Sequence, residues 1–378
     1  MSSRWCARAA TIVGLSVAAL PFVTGAGGAA TLPGQNEVAV SNVAGNGNKT
    51  SVSDILASLN SIHVTNAHAN ANETGVTNDH AVGNGTAVQN VHGDHNGTKV
   101  TNKAAAGNGT SVHNTDANSN NTAVTNHQAA GNGTSVDNET ADHNATKVTN
   151  DHAANNGTAV HNQHADGNVS AVTNAGSSAN GTSVHNANAN NNQTTAVNEQ
   201  SHHNGTSVDN HDADHNTTGV GNVNSAHNDT SVENHHADGN STGVGNVNSD
   251  GNSVSVANHH ADDNHSTVSN HSSDHNTGVV SNNGSDHNSS NINNNHSDHT
   301  TSVVSNNGSN HNGTDINNNG ASHTTTVVSN NGSNDNHTGV SNHGDGNTTT
   351  VVANNSNGNN TTVSNNGDGN TTVVTNDG

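Results

Sequence analysis

Histidine and aspartate are the side chains of this protein best suited to metal or acid–base chemistry. The chain of 378 residues contains 31 histidines. Several follow an aspartate, as in Asp274-His275. Imidazole and carboxylate groups brought close together could bind zinc or copper. One series recurs every twelve residues in segments that we interpret as turns: His275, His287, His299, His311 and His323.

Two other interpretations of these histidines remain open. Histidine titrates near pH 6.5, so protonation would cancel much of a negative charge and act as a pH switch. Alternatively, histidine is here a soluble turn residue without a further role. Cys6 is the only cysteine, and no HExxH spacing recurs. We therefore assign no residue as a metal ligand, and a divalent metal at the turn histidines stays one alternative.

The composition disfavours an enzyme. Only 26% of the residues are hydrophobic and 1% are aromatic, too few large apolar side chains for a conventional globular core. Serine, histidine and aspartate occur throughout, so their presence indicates no catalytic triad. We expect no catalytic residues, no cofactor and no enzymatic activity.

The histidine and aspartate side chains are positioned by a repeated strand pattern. Successive side chains of a strand point to opposite faces, and alternate residues of the stretch 131–138 hardly change along the chain. The same residue types return twelve positions later. The predicted inward ladder residues in these two repeats are Asn132, Thr134, Val136, Asn138, Asn144, Thr146, Val148 and Asn150.

The period of twelve is strict. Asparagine recurs at this spacing from Asn66 to Asn354, and the last two units, ending at Asn365 and Asn376, are each one residue shorter. Asn, Gly and Thr are poor helix formers. A strand of about seven residues and a turn of about five fit each unit. The turns are rich in Asn, Asp, Gly and Ser, which tolerate left-handed backbone angles.

A second period of 24 residues predicts two strands per coil. Thr77, Thr101, Thr125 and Thr149 recur at that spacing. Like residues stack best when they lie directly above one another. The predicted fold is all-β: a two-sided β-solenoid of 12-residue strand–turn repeats, with two strands per 24-residue coil. A coil of twelve residues is the alternative.

An inward asparagine needs a partner, because a buried amide without one costs about 1–3 kcal/mol. Equivalent asparagines stacked in a column can bond amide to amide, as in cross-β assemblies. This requirement explains the strict spacing of the repeat.

These residues carry a resemblance to a known family. The stretch Gly131-Asn132-Gly133-Thr134-Ser135-Val136-Asp137-Asn138 resembles the curlin repeat of the major curli fibre subunit, which reads Gly and then Asn-x-Ala-x-Val-x-Gln. Thr134 stands where that family prefers Ala, and Asn138 where it prefers Gln. The likeness extends over residues 31–378. It implies a secreted, self-assembling cross-β fibre for biofilm and surface adhesion, with terminal coils that template further subunits.

The first thirty residues have the pattern of a signal peptide. Arg4 and Arg8 precede the apolar stretch 9–23, and small residues follow up to Ala30. We predict a signal peptide at 1–30, a continuous repeat domain at 31–378, and a secreted or cell-surface location. The mature chain would have no integral membrane segment.

Charge and strand pattern bear on the partners. The formal net charge is −23, which disfavours nucleic acid as a partner. The stretch 369–376 keeps the strand pattern, so we expect an uncapped strand edge there and self-association into fibres. The alternatives are a monomeric cell-surface module that binds metal or ice or acts as a spacer, and a disordered secreted polypeptide.

Overall fold

The computed structural model gives an all-β fold in which the predicted twelve-residue units each form one strand and one turn. The structure describes residues 22–24, 29–31, 37–43, 47, 49–55, 61–68, 70–80, 82–354, 357–358 and 360–377. The described residues contain no helix, and none of them therefore forms a helix long and apolar enough to cross a membrane. The chain divides into two compact units, Met1–Gly181 and Thr182–Gly378.

The first unit contains two parallel sheets. Their strand orders are β1-β3-β5-β7-β9-β11-β13 and β2-β4-β6-β8-β10-β12-β14. The strands are β1 (Phe22–Thr24), β2 (Ala29–Thr31), β3 (Glu37–Val43), β4 (Lys49–Ile55), β5 (Ser61–Ala67), β6 (Glu73–Asp79), β7 (Gly85–Val91), β8 (Gly97–Lys103), β9 (Gly109–Thr115), β10 (Asn121–His127), β11 (Gly133–Glu139), β12 (Ala145–Asp151), β13 (Gly157–Gln163) and β14 (Val169–Ala175).

The second unit repeats the arrangement, with β15 starting at the boundary residue Gly181. The odd-numbered strands from β15 to β31 form one sheet and the even-numbered strands from β16 to β30 the other. The strands are β15 (Gly181–Ala187), β16 (Gln193–Glu199), β17 (Gly205–His211), β18 (Thr217–Val223), β19 (Asp229–His235), β20 (Ser241–Val247), β21 (Ser253–His259), β22 (His265–His271), β23 (Thr277–Asn283), β24 (Ser289–Asn295), β25 (Thr301–Asn307), β26 (Gly313–Asn319), β27 (Thr325–Asn331), β28 (His337–His343), β29 (Thr348–Asn354), β30 (Asn360–Asn366) and β31 (Thr371–Asp377).

Strand register confirms the coil of 24 residues. Asn126 of β10 lies beside Asn150 of β12, and Asn138 of β11 beside Asn162 of β13. Consecutive strands therefore lie in opposite sheets, and each residue meets its equivalent two repeats away. The fold is a parallel β-solenoid, and its coil has the predicted two strands, not the alternative of twelve residues.

Small side chains fill the interior. Val136 and Val148 are fully buried, and the largest buried side chains are the isoleucines Ile62, Ile292 and Ile316. In β11 every second residue is buried, while its alternate residues are exposed or half-buried. Thr, Val and Asn take most of the inward positions.

Each fully described five-residue turn places two residues in the left-handed region. Between β11 and β12 these are Thr140, with φ 49°, and His143, with φ 58°. Between them, Ala141 is buried. The two left-handed residues bend the chain, and the turn joins a strand of one sheet to the next strand in the other sheet. Asn, Asp, His and Gly recur at these positions.

The asparagine spacing of twelve does not keep Asn354 in the expected column. Asn330 of β27 lies beside Ala353 of β29, and Asn354 lies beside Asn331. The first shortened turn is therefore 344–347, between β28 and β29. Counting asparagines missed this shift, since Ala353 and Asn354 are adjacent.

The predicted signal peptide is largely outside the described residues. Of its residues, 22–24 and 29–30 belong to β1 and β2, which pair with β3 and β4. Cleavage near Ala30 stays a prediction.

Candidate functional site

Most strands have an inward asparagine near their end, and these asparagines stack amide to amide. Asn114 Nδ2 donates to Asn138 Oδ1, and Asn138 Nδ2 donates to Asn162 Oδ1, both at 2.8 Å. On the opposite sheet Asn150 accepts from Asn126 and donates to Asn174, again at 2.8 Å. The carbonyl oxygen of each amide accepts from one coil and its nitrogen donates to the next. All hydrogen bonds of the column therefore run in the same direction.

The asparagine that directly precedes most strands forms a different ladder. The backbone N–H of Asn108 donates to Asn132 Oδ1 at 2.7 Å, and that of Asn120 donates to Asn144 Oδ1 at 2.7 Å. The Asn144 amide nitrogen donates to the carbonyl of Ala141 at 2.6 Å. Asn132 and Asn144 therefore bridge side chain to backbone, a mode that the repeat pattern alone did not distinguish from amide stacking.

Threonine and valine complete the eight predicted ladder residues. Thr134 lies beside Thr158 and Val136 beside Val160, while Thr146 and Val148 occupy the equivalent positions of β12. All four are buried. The Thr134 hydroxyl has no hydrogen-bond partner among the described residues, so this column contributes packing. The eight residues form inward columns in the first unit, and none of them faces the surface.

The turn histidines of the second unit form stacked columns. His275 and His299 have ring centroids 5.0 Å apart with planes 4° from parallel, and His299 and His323 are 5.1 Å apart at 6°. His287 and His311 stack likewise at 5.0 Å. Their similar left-handed φ angles, 56–58°, point each ring in the same direction, so equivalent rings lie one coil apart.

The neighbouring aspartates bind backbone instead of imidazole. Asp274 Oδ1 accepts the backbone N–H of Asp298 at 2.7 Å, and Asp298 Oδ1 accepts that of Ser322 at 2.6 Å. The imidazoles in this column face each other, and the carboxylates hold the turns together. The mixed metal site that we considered at this edge is therefore not assembled by these residues.

Three side chains in the first unit do converge. His127 ends β10, Asp151 ends β12 directly beside it, and His152 follows in the turn with φ 49°. His127 Nδ1 lies 2.9 Å from Asp151 Oδ2, and His152 Nδ1 lies 2.6 Å from Asp151 Oδ1. Among the residues that the structure describes, this is the one group of three whose ligand atoms all lie within 4.8 Å of one another. We call it the His127 cluster.

Opposing effects set the charge state of the cluster carboxylate. Burial raises the pKa of Asp151, but the hydrogen bonds with His152 and His127, and the positive charge that these rings acquire, outweigh burial and leave this pKa below its usual range. Asp151 therefore stays ionised to a lower pH than an ordinary aspartate, and its two oxygens each contact one imidazole.

The sequence predicts one of the two histidine–aspartate contacts of this cluster. A histidine followed 24 residues later by an aspartate predicts His127 beside Asp151 once the coil length is known. The direction of the His152 ring depends on the left-handed backbone at that residue, which the repeat pattern does not specify.

An outward face of the second unit is free of charged residues. Strands β23, β25, β27 and β29 contain only Gly, Ala, Val, Ser, Thr and Asn. The registers of β23, β25 and β27 align threonines, then valines, then serines in neighbouring rows, whereas β29 places Thr350 beside Val327 and Val352 beside Ser329. The aligned outward residues of the first three strands are Thr277, Val279, Ser281, Thr301, Val303, Ser305, Thr325, Val327 and Ser329. We call this surface the Thr-Val face.

No known protein-family model and no curated protein matches the chain. The resemblance to the curlin repeat therefore rests on the repeat residues themselves.

Proposed function

We propose that this chain is an exported, non-enzymatic structural protein whose copies stack end to end into an extracellular cross-β fibre or matrix for surface adhesion or biofilm. The observation that carries the proposal is the recurrence of the same inward columns from coil to coil, with asparagine amides bonded at 2.8 Å along the axis. A surface that fits the next coil of its own chain also fits a coil of a second copy.

The last described coil shows what such stacking would cover. Val351 of β29 is fully buried, whereas Val374, aligned with it in β31, is 49% exposed. Among the described strands, β31 pairs with β29 alone, so its other edge in this structure has backbone groups available to a further strand. A coil from a second copy would cover Val374 and continue the ladder.

Filament formation tests this proposal directly. The purified full chain should bind thioflavin and give fibres with a meridional spacing of about 4.7–4.8 Å. Val374→Lys places a charge on the surface that the next coil must cover and should slow assembly at least tenfold.

The matched control is Val373→Lys, because Val373 is 47% exposed and aligned with the outward Thr350. It should assemble at the unaltered rate. A chain that stays monomeric at every concentration tried, or two variants that behave alike, would contradict end-to-end stacking.

The second candidate function is a monomeric binding module for an ordered lattice such as ice. The Thr-Val face favours it, because its rows of hydroxyl and methyl groups follow the regular strand spacing of about 4.7–4.9 Å. Thermal hysteresis of the full chain, lost in Thr301→Lys and kept in Thr267→Lys on the opposite sheet, would support this function. A chain without hysteresis would rule it out.

A further inference from the structure

Among the described residues, the His127 cluster differs from the other histidine–aspartate contacts in that its three ligand atoms all lie within 4.8 Å of one another. Asp212 also has an imidazole on each oxygen, but there the second ring is farther away: His211 lies at 3.0 Å and His236 at 3.8 Å. His113 Nδ1 lies 3.0 Å from Asp137 Oδ2, much as His127 lies 2.9 Å from Asp151. The exposed fractions are also alike, 34% for the His113 side chain and 38% for His127. Only the second carboxylate also has a turn histidine on its other oxygen, at 2.6 Å.

We propose that His127, Asp151 and His152 bind one divalent transition-metal ion, with Zn²⁺ as the best match. Two imidazole nitrogens and one carboxylate oxygen are a common zinc ligand set, and the fourth tetrahedral position is left to water. Softer ions that prefer thiolates fit less well, because the cluster contains only nitrogen and oxygen donors.

The present distances are those of hydrogen bonds, and the cluster needs only a small expansion to hold an ion. Tetrahedral ligands about 2.0–2.1 Å from zinc lie roughly 3.3 Å from one another. His127 Nδ1 and His152 Nδ1 lie 2.9 Å and 2.6 Å from the Asp151 oxygens. The His152 side chain is 68% exposed, so rotation of this ring supplies the expansion without moving a strand.

The column that contains His127 and Asp151 limits the site to one ion. Lys103 precedes His127 at this position and Ala175 follows Asp151. Neither residue ligates a metal ion in this setting: the first is a cation and the second has no donor. The ligands come from adjacent coils, since β10 contributes His127 while β12 and its turn contribute the others. A bound ion would therefore link two coils of the first unit.

Calorimetric titration of the full chain with Zn²⁺ at neutral pH tests the site. The other histidines will bind zinc weakly, so the expected result is one tight event per chain above a weak background. His152→Ala and Asp151→Ala should each weaken the tight event at least tenfold. Both residues lie at the surface, and circular dichroism would show that the strands remain.

Two control variants separate the cluster from histidine in general. His113→Ala removes a histidine that contacts a single aspartate, and His275→Ala removes one ring of a stacked column. Both should keep the tight event. Co²⁺ in place of Zn²⁺ should give the intense visible absorption of a tetrahedral site in these controls and lose it in Asp151→Ala.

The proposal would be overturned if the unaltered chain showed only weak, multiple binding, or if the cluster variants and the controls lost affinity equally. Neither readout depends on filament formation, so these experiments test the metal site independently of the proposed fibre role.

Discussion

At the scale of single residues, asparagine holds the coils together because its amide is both donor and acceptor. Asn138 accepts from the coil before it and donates to the coil after it. Hydrogen bonds in such a chain polarise one another. A valine at that position would bury more apolar surface but would break the column on both sides.

The first prediction concerns that column. Asn138→Ala removes the acceptor of Asn114 and the donor to Asn162, so it should lower the free energy of unfolding by roughly 2–4 kcal/mol. Urea unfolding followed by circular dichroism measures the loss. The control is Ser135→Ala, an exposed position on the same strand, which should change stability by less than about 0.5 kcal/mol. Equal effects of the two changes would show that the ladder contributes little.

The second prediction concerns the cluster carboxylate. Because the hydrogen bonds to His152 and His127 hold the pKa of Asp151 below its usual range, the folded state favours the ionised carboxylate. Its stabilising contribution is present above the unfolded pKa of about 3.9 and disappears as the pH falls through the lower folded value.

Carbon NMR of the Asp151 carboxyl measures this shift. The titration midpoint should lie below that of an exposed aspartate and should rise in His152→Ala. A midpoint that does not move when His152 is removed would contradict the assigned cause. His113→Ala is the control and should leave the Asp151 midpoint unchanged.

The sequence predicted which residues are buried, but it did not predict the hydrogen bonds that their side chains form. Burial of Asn132, Thr134, Val136 and Asn138 follows from alternation along a strand, and the sequence alone indicated it. The side-chain-to-backbone bonding of Asn132 does not follow, because both bonding modes require the same residue at the same spacing. Ring directions in the His127 cluster likewise depend on torsion angles.

At the scale of elements, turn length controls register. A normal turn has five residues, two of which are left-handed. The turn 344–347 has only four residues. Gly344 lies against the carbonyl of Ala321, so that a Cβ there would overlap this oxygen. Here the absence of a side chain allows the close approach of two backbones.

This turn also explains why Asn354, the last asparagine at the spacing of twelve, does not lie in the asparagine column. The repeat pattern placed Asn354 in the column of Asn330, and the backbone places Ala353 there. A shortened turn shifts every following residue by one position. Counting asparagines does not reveal this shift of one residue, because Ala353 and Asn354 are neighbours. The backbone pairing of β27 with β29 shows it directly.

The third prediction tests the short turn. Gly344→Ala must displace the backbone of the turn or of Ala321, so it should destabilise the protein by roughly 1–3 kcal/mol. Gly313→Ala is the control, because a Cβ at Gly313 would meet open space and glycine within a strand is weakly unfavourable. Urea unfolding of both variants measures the difference. An equally stable Gly344→Ala chain would show that the turn adapts freely.

At the scale of the whole molecule, charge opposes the association that the repeated columns favour. The net charge is −23 with neutral histidines and would be +8 with all 31 protonated. The isoelectric point is about 5.6. Copies that approach end to end at neutral pH therefore repel one another, and salt screens this repulsion over about 10 Å at 0.1 M ionic strength.

The fourth prediction is that filament growth is fastest near pH 5.6 and slower on either side. From neutral pH downward, each histidine protonation reduces the negative charge and the repulsion between copies, so growth accelerates. Below the isoelectric point the sign of the charge reverses and repulsion returns. Thioflavin kinetics across this pH range, at low and high salt, measure the effect. Added salt should accelerate growth most at neutral pH and least near pH 5.6. If growth is insensitive to both pH and salt, charge does not control association, and the formation of strand hydrogen bonds at the coil ends must set the rate instead.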